Sequence, residues 1–268
     1  MTNTQKQNNG IYQLEGDFYV KLPNDIVLGL EDNMSLRKKL NCSFLCATLF
    51  KLYEGTNMRN ITSFSIEELM ESCGYTSDKR MIKKFKELLL QLNKLNVISN
   101  LSKDIIKAKA DTYIKCRLNL KLDSQYFMIY AQQFEGIFNS DYDVKLKNNA
   151  FTFLCYVLSK IKINGGFCYF SLTEVSEALG ISIPTILSVR DILKELKLLY
   201  FDFVGTQYHN RNCGTIYAIS KEELFKGLQW SYKQYSYLSA FKPKEEYKRL
   251  FESLNKFTEN LKNFYKKY

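Results

Sequence analysis

The pattern of apolar positions along the chain repeats. Phe44-Leu45-Cys46, Phe64-Ser65, Gly74 and the run Leu88, Leu89, Gln91, Leu92 are echoed by Phe153-Leu154-Cys155, Phe170-Ser171, Gly180 and the run Ile192, Leu193, Glu195, Leu196. Each copy predicts, in order, an apolar helix, a short turn segment, a Phe-Ser start to a second helix, a glycine turn, a third amphipathic helix and a β-rich tail. In the first copy, Ile11–Leu14 and Phe18–Pro23 read as short extended segments. Helix one is expected over Arg37–Tyr53, with Leu40, Phe44, Leu45, Thr48, Leu49 and Leu52 as its stripe. Ser65-Ile66-Glu67-Glu68 is a capping-box pattern, so helix two starts there and stops at Gly74. Helix three begins near Ser77.

This order of elements is that of a winged helix-turn-helix. The expected fold class is therefore mainly α with small β-hairpin wings (α+β): one winged-helix domain over 12–125, a second over 126–232, and a C-terminal helical arm over 233–268. Between the copies, Tyr126-Phe127-Met128-Ile129-Tyr130 is too apolar for a loose linker, and a helix packing the domains together is expected. The second copy carries Ser171-Leu172-Thr173-Glu174 as another capping box and Pro184 in the first turn of its third helix. Gly165-Gly166 reads as a hairpin turn.

The third helix of copy one carries candidate chemistry. With residues about 100° apart, Met81, Ile82, Phe85, Leu88, Leu89 and Leu92 share one face and Lys79, Arg80, Lys83 and Lys86 the other. A merely solvated helix interleaves acids for i,i+4 pairing; here only Asp78 and Glu87 stand at the two ends. Helices in this position enter the major groove of DNA, where Arg and Lys read guanine or hold phosphates. Behind it, Val97-Ile98 and Tyr113–Leu118 flank a polar stretch that makes a wing, with Lys103, Lys107 and Lys109 suited to phosphate. The matching helix of copy two is less basic. Its outward side offers Leu187, Ser188, Arg190, Asp191 and Lys194, which suits reading bases, a thymine-methyl contact, or docking of protein. The second wing runs from Leu199–Val204 to Thr215–Ile219, with His209, Asn210 and Arg211 near its tip for a minor groove or phosphates; a plain exposed turn is the competing reading.

From Pro243 onward, Tyr247, Leu250, Leu254, Phe257, Leu261, Phe264 and Tyr268 recur at alternating three- and four-residue spacing. Dimerisation through a coiled coil and docking on the chain's own domains both remain open.

Composition narrows the class. In 268 residues, 46% are hydrophobic, enough for two modest cores, and the net charge of +10 favours a polyanionic partner. The polar N-terminus lacks the core of a secretory signal, and no stretch is apolar and long enough to span a bilayer. The seven cysteines are odd in number and scattered through apolar runs, as reduced core residues are. A cytoplasmic protein with no membrane partner is expected. His209 is the single histidine, and there is no Cys-x-x-Cys pair, so neither a zinc site nor the histidine cluster of a metal-assisted tyrosine nucleophile is expected. No Gly-x-x-x-x-Gly-Lys-Ser/Thr loop is present, and Glu67-Glu68, Asp141 with Asp143, and Glu245-Glu246 sit where solvated charge is the usual explanation. An enzyme is not expected, nor any cofactor.

Phe18–Pro23, the helix start at Phe64-Ser65-Ile66-Glu67-Glu68-Leu69, and the duplicated domains together resemble the replication initiator proteins of bacterial plasmids, both the RepA N-terminal-domain type of Gram-positive plasmids and the two-domain initiators of theta replicons. The resemblance covers residues 12 to 220. It implies winged-helix binding to repeated sites at an origin on double-stranded DNA, coupling of monomer or homodimer state to activity, and recruitment of host replication proteins. A transcriptional regulator at a promoter operator and a tandem winged-helix adaptor for other proteins are the alternatives.

Overall fold

The computed structural model describes residues 6–8, 11–13, 19–28, 34–57, 59–119, 125–207 and 211–265. Helices make up about 52% of the protein and the sheets are small and antiparallel, so the class is α+β. Two compact units divide the chain: Met1–Ile163 with Leu172–Leu198, and Asn164–Ser171 with Leu199–Tyr268.

The first unit opens with strands β1 (Lys6–Asn8) and β2 (Ile11–Gln13), paired antiparallel, followed by β3 (Tyr19–Pro23). Helices α1 (Leu36–Leu40) and α2 (Leu45–Glu54) come next. They replace the single helix expected over Arg37–Tyr53. Asn41 stands between them at φ 45, its N–H donating back to the carbonyls of Arg37 and Lys38, and this left-handed cap ends α1. Strand β4 (Ile61–Phe64), α3 (Ile66–Ser72), α4 (Lys79–Lys94), β5 (Ile98–Ser99) and β6 (Ile114–Leu118) follow, and the three strands form one sheet in the order β4-β6-β5.

Residues Tyr126–Tyr130 form a strand, β7, not the expected helix. Phe127 and Ile129 are buried while their neighbours are only partly so, a period of two, and β7 pairs along its whole length with β3, Tyr19 opposite Tyr130 through Pro23 opposite Tyr126. The helix comes immediately after, as α5 (Ala131–Phe138). Its Phe134 stacks on Phe50 of α2 with ring centroids 4.6 Å apart, and Phe151 meets both edge-on. Phe151 belongs to α6 (Val144–Asn164), whose residues 150–159 are buried on every side, as befits the central helix of a core. Helices α7 (Leu172–Leu179) and α8 (Ile183–Glu195) complete this unit. Three residues join them, the chain turns by 102°, and Gly180 supplies the positive φ of 62° that the turn needs. Ser35, the N-cap of α1, donates its hydroxyl to the carbonyl of Ala178 in α7 at 2.6 Å.

In the second unit, β8 (Phe167–Tyr169), β9 (Tyr200–Asp202) and β12 (Ile216–Ala218) form a sheet in the order β8-β12-β9. The residues between β9 and β12, read from the sequence as the tip of the second wing or a plain exposed turn, hold two further strands, β10 (Gly205–Gln207) and β11 (Arg211–Asn212). β10 pairs with β11 on one side and with β13 (Lys242–Pro243) on the other. Helix α9 (Lys221–Tyr235) packs on β8, β9 and β12, and α10 (Glu245–Tyr265) packs on α9. Gly165-Gly166 is not a hairpin turn. It joins α6 to β8, and a Cβ at Gly166 would lie 2.2 Å from a carboxylate oxygen of Glu223.

Candidate nucleic-acid interface

Local sequence fixes the start of α3. Ser65 Oγ accepts the Glu68 amide at 3.1 Å and Glu68 accepts the Ser65 amide at 3.2 Å, a closed capping box. The other Glu68 oxygen accepts the Tyr113 hydroxyl, and the Glu67 amide donates to the Ala110 carbonyl at 3.0 Å, so the segment between β5 and β6 is held against α3. Gly74, at φ +80, lets the chain leave α3, and Asp78 caps α4 by accepting the Met81 amide at 2.8 Å.

Phe85, Leu88, Leu89 and Leu92 of α4 are buried, and Met81 and Ile82 are half-buried. Lys79, Arg80, Lys83 and Lys84 are exposed on its first turns. Among the described residues, Lys79, Arg80 and Lys84 form no ion pair, and Lys83 reaches only Glu87 at 4.0 Å across open solvent, a contact worth little. Lys86 is different. It is half-buried, and its ammonium donates to the carbonyls of Ile106 and Ala108 at 2.9 and 2.7 Å. Its charge is spent pinning the β5–β6 segment, which sets Lys107, between those two carbonyls, close to α4; Lys107 and Lys109 are both exposed. Lys84, exposed on the same turns, is not among the cations named from the sequence, although its helical angle sets it about as far from the apolar face as Lys86.

The α8 helix buries Ile186, Val189, Ile192 and Leu193. Ser188 is exposed but donates its hydroxyl to the Pro184 carbonyl at 3.1 Å. Arg190 is half-buried with Asp191 at 3.4 Å, and Lys194 is exposed. Positive charge on α8 is thus partly offset in place, unlike that of α4. At the second wing, His209 and Asn210 lie outside the described residues, and Arg211 is placed only as backbone, opposite Gln207 in the β10–β11 pair.

The arm residues separate. Tyr247 and Leu254 of α10 are half-buried against the core of the second unit, whereas Leu250 is 41% exposed. The residue that enters the core is Phe251, 2% exposed, among Val204, Cys213, Ile216, Leu228 and Tyr232. Phe257, Leu261 and Phe264 continue α10, with side chains outside the described structure. Asp202 anchors the start of this helix, accepting the Lys244 ammonium and the Tyr247 hydroxyl, each at 2.5 Å. Burial alone would raise the Asp202 carboxyl, but hydrogen bonds from Lys244, Tyr247 and the Phe203 amide outweigh it and hold it below its ordinary value. Burial and the same carboxylate push the Tyr247 hydroxyl up.

All seven cysteines are free thiols, six of them buried. Among the described residues, no cluster of three or more His, Cys, Asp or Glu has a metal-holding arrangement, and no single helix is long and apolar enough to cross a membrane. No protein-family model matches the sequence, and no curated protein matches it.

Proposed function

We propose that this chain is a sequence-specific double-stranded DNA-binding protein, built on two winged helix-turn-helix domains, that acts as the replication initiator of a plasmid or mobile element at repeated origin sites. The observation that carries the reading is the first half of α4. It follows a glycine turn, has its apolar side in the core, and presents Lys79, Arg80, Lys83 and Lys84 to solvent, where among the described residues the long, exposed Lys83–Glu87 contact is the one ion pair they form. Topology supports it. Helix, strand, helix, helix and the two remaining strands of a three-stranded sheet occur in that order twice, with β10 and β11 inserted between the last two in the second copy, and both sheets have the first strand beside the last and the last beside the middle one. The 102° turn through three residues between α7 and α8 has the geometry of a helix-turn-helix.

Selection of fragments from the native replicon, followed by anisotropy titration, tests the reading. Tandem direct repeats are the expected targets; a single palindrome in the gene's own promoter identifies a transcriptional regulator instead. Replacing Lys79, Arg80 or Lys83 by alanine is expected to weaken binding, by about 1–3 kcal/mol where a base is read, with an unchanged melting temperature. Unaltered affinity in all three variants removes α4 from the interface, and the absence of salt-dependent DNA binding leaves the protein-binding adaptor.

A further inference from the structure

The solvent face of the β4-β6-β5 sheet gathers cations from separate parts of the chain. Thr62, Phe64, Ile114, Cys116 and Leu118 point inward and are buried, leaving Ile61, Ser63, Lys115 and Arg117 on the outer face. The register sets Ile61 opposite Arg117 and Ser63 opposite Lys115, with Ser99 of β5 on the other side of Arg117. Lys115 and Arg117 therefore stand on one face two residues apart, roughly 7 Å along the strand.

Two turns close the rim. Before β4, the Asn57 side-chain oxygen accepts the amides of Arg59 and Ile61 at 2.9 and 3.1 Å, and Asn60 takes φ 57, which delivers Arg59 to the end of the strand. After β5, Asn100 at φ 53 redirects the chain, and Ser102 is tied to the Lys115 backbone by bonds of 2.9 and 2.8 Å. The result is a half-open hollow of about 480 Å³ lined by Arg59, Ile61, Asn100, Lys115, Cys116 and Arg117. No carboxylate lines it, and among the described residues none of its three cations forms an ion pair. Helices α2 and α4 contact the strands of this sheet, and the hollow is on the face that carries the exposed side chains rather than the buried ones.

We propose that this hollow is a phosphate-binding site for the phosphodiester backbone of DNA, a second contact separate from α4. Two guanidinium groups and an ammonium with no counter-charge suit phosphate oxygens, Arg through paired N–H bonds and Lys as a point charge. The Asn100 amide adds a neutral donor, and Ile61 gives an apolar floor for a sugar. Because the lining reads only backbone, the site adds affinity without sequence preference. It rests on the DNA-binding reading above, but not on α4 being the contact.

The test is anisotropy titration of a labelled duplex of unrelated sequence across a range of salt concentrations. It compares the wild-type chain, a sheet variant (Arg59→Gln, Lys115→Gln and Arg117→Gln), a charge-retaining variant (Arg59→Lys, Lys115→Arg and Arg117→Lys), and a helix variant (Lys79→Gln, Arg80→Gln and Lys83→Gln). Each phosphate neutralised contributes about 0.9 to the slope of log K against log salt, so the sheet variant is expected to lose about 2 to 3 from it and to bind about 10- to 100-fold more weakly at low salt. The charge-retaining variant should keep the wild-type slope, and the helix variant should keep the share of the slope that the hollow supplies. A sheet variant with native melting temperature, slope and affinity overturns this inference while leaving the α4 reading standing. If the wild-type chain binds no duplex, both fall. Displacement of the duplex by polyglutamate as readily as by unlabelled DNA also overturns it, since the hollow would then be an acidic-peptide surface.

Discussion

Phe251 should be the residue on which the C-terminal arm depends. Its ring is 2% exposed and lies 5.1, 5.7 and 5.8 Å from the rings of Tyr232, Phe225 and Tyr247. Truncating a buried phenylalanine to alanine costs about 3–5 kcal/mol, the transfer term plus the cavity left behind. Loss of three aromatic neighbours sets the expectation for Phe251→Ala at about 4 kcal/mol. Leu250→Ala, one position earlier but 41% exposed, should cost less than about 0.5 kcal/mol. Urea unfolding followed by tryptophan fluorescence is a suitable assay, because the chain's single tryptophan, Trp230, belongs to the same unit and stacks on Tyr169 at 5.1 Å. Limited proteolysis should show α10 cut first in Phe251→Ala, and sedimentation on the same samples reports the oligomeric state. A loss below about 1 kcal/mol for Phe251→Ala, or an equal loss for Leu250→Ala, would refute the argument, since a ring in this core cannot be removed so cheaply.

Lys86→Met should lower the melting temperature of the first unit and change DNA affinity little, the reverse of the Lys79, Arg80 and Lys83 variants; two lost bonds to carbonyls amount to about 1–3 kcal/mol. An affinity loss matching theirs, with native stability, would show that Lys86 faces DNA. Asp202→Asn should destabilise the second unit by about 1–3 kcal/mol at neutral pH, a figure reduced for the partial exposure of the pair. The folded Asp202 carboxyl titrates below its ordinary 3.8, so its contribution is complete above that pH and is lost as pH falls through the lower, folded value. Between the two values the wild type should therefore lose stability with acid more steeply than Asp202→Asn; identical acid profiles would remove Asp202 from the account.

Much of the first unit was legible because its signals are local. Ser65 and Glu68 form the predicted capping box within four residues, and the α4 stripe buries where helical spacing puts it. Other features depend on contacts the sequence does not print side by side. The apolar run at Tyr126–Tyr130 is compatible with either helix or strand, and its pairing with β3, more than a hundred residues earlier, decides the matter. Asn41 breaks the first helix by a left-handed backbone conformation that the helical spacing of Leu40, Phe44, Leu45 and Thr48 around it does not announce. Counting the arm as a three-four repeat from Tyr247 selected Leu250 and passed over Phe251, because a seam defined by spacing alone can be rotated by one residue. Arg59, Lys115 and Arg117 were invisible as a group for the same reason as β7: strand register, not proximity in sequence, gathers them.

The pairing of β13 with β10 gives the C-terminal arm a protective role. Without Lys242 and Pro243, one side of β10 would be a row of unsatisfied amides and carbonyls, the template on which a foreign strand adds. Gly205 is shaped for this closure, since a Cβ there would meet the Lys242 carbonyl oxygen at 2.3 Å. A chain cut just before Lys242 would thus lose more than a helix. It would expose an adhesive margin, and exchange of arms between two copies would be the cheapest way to cover it.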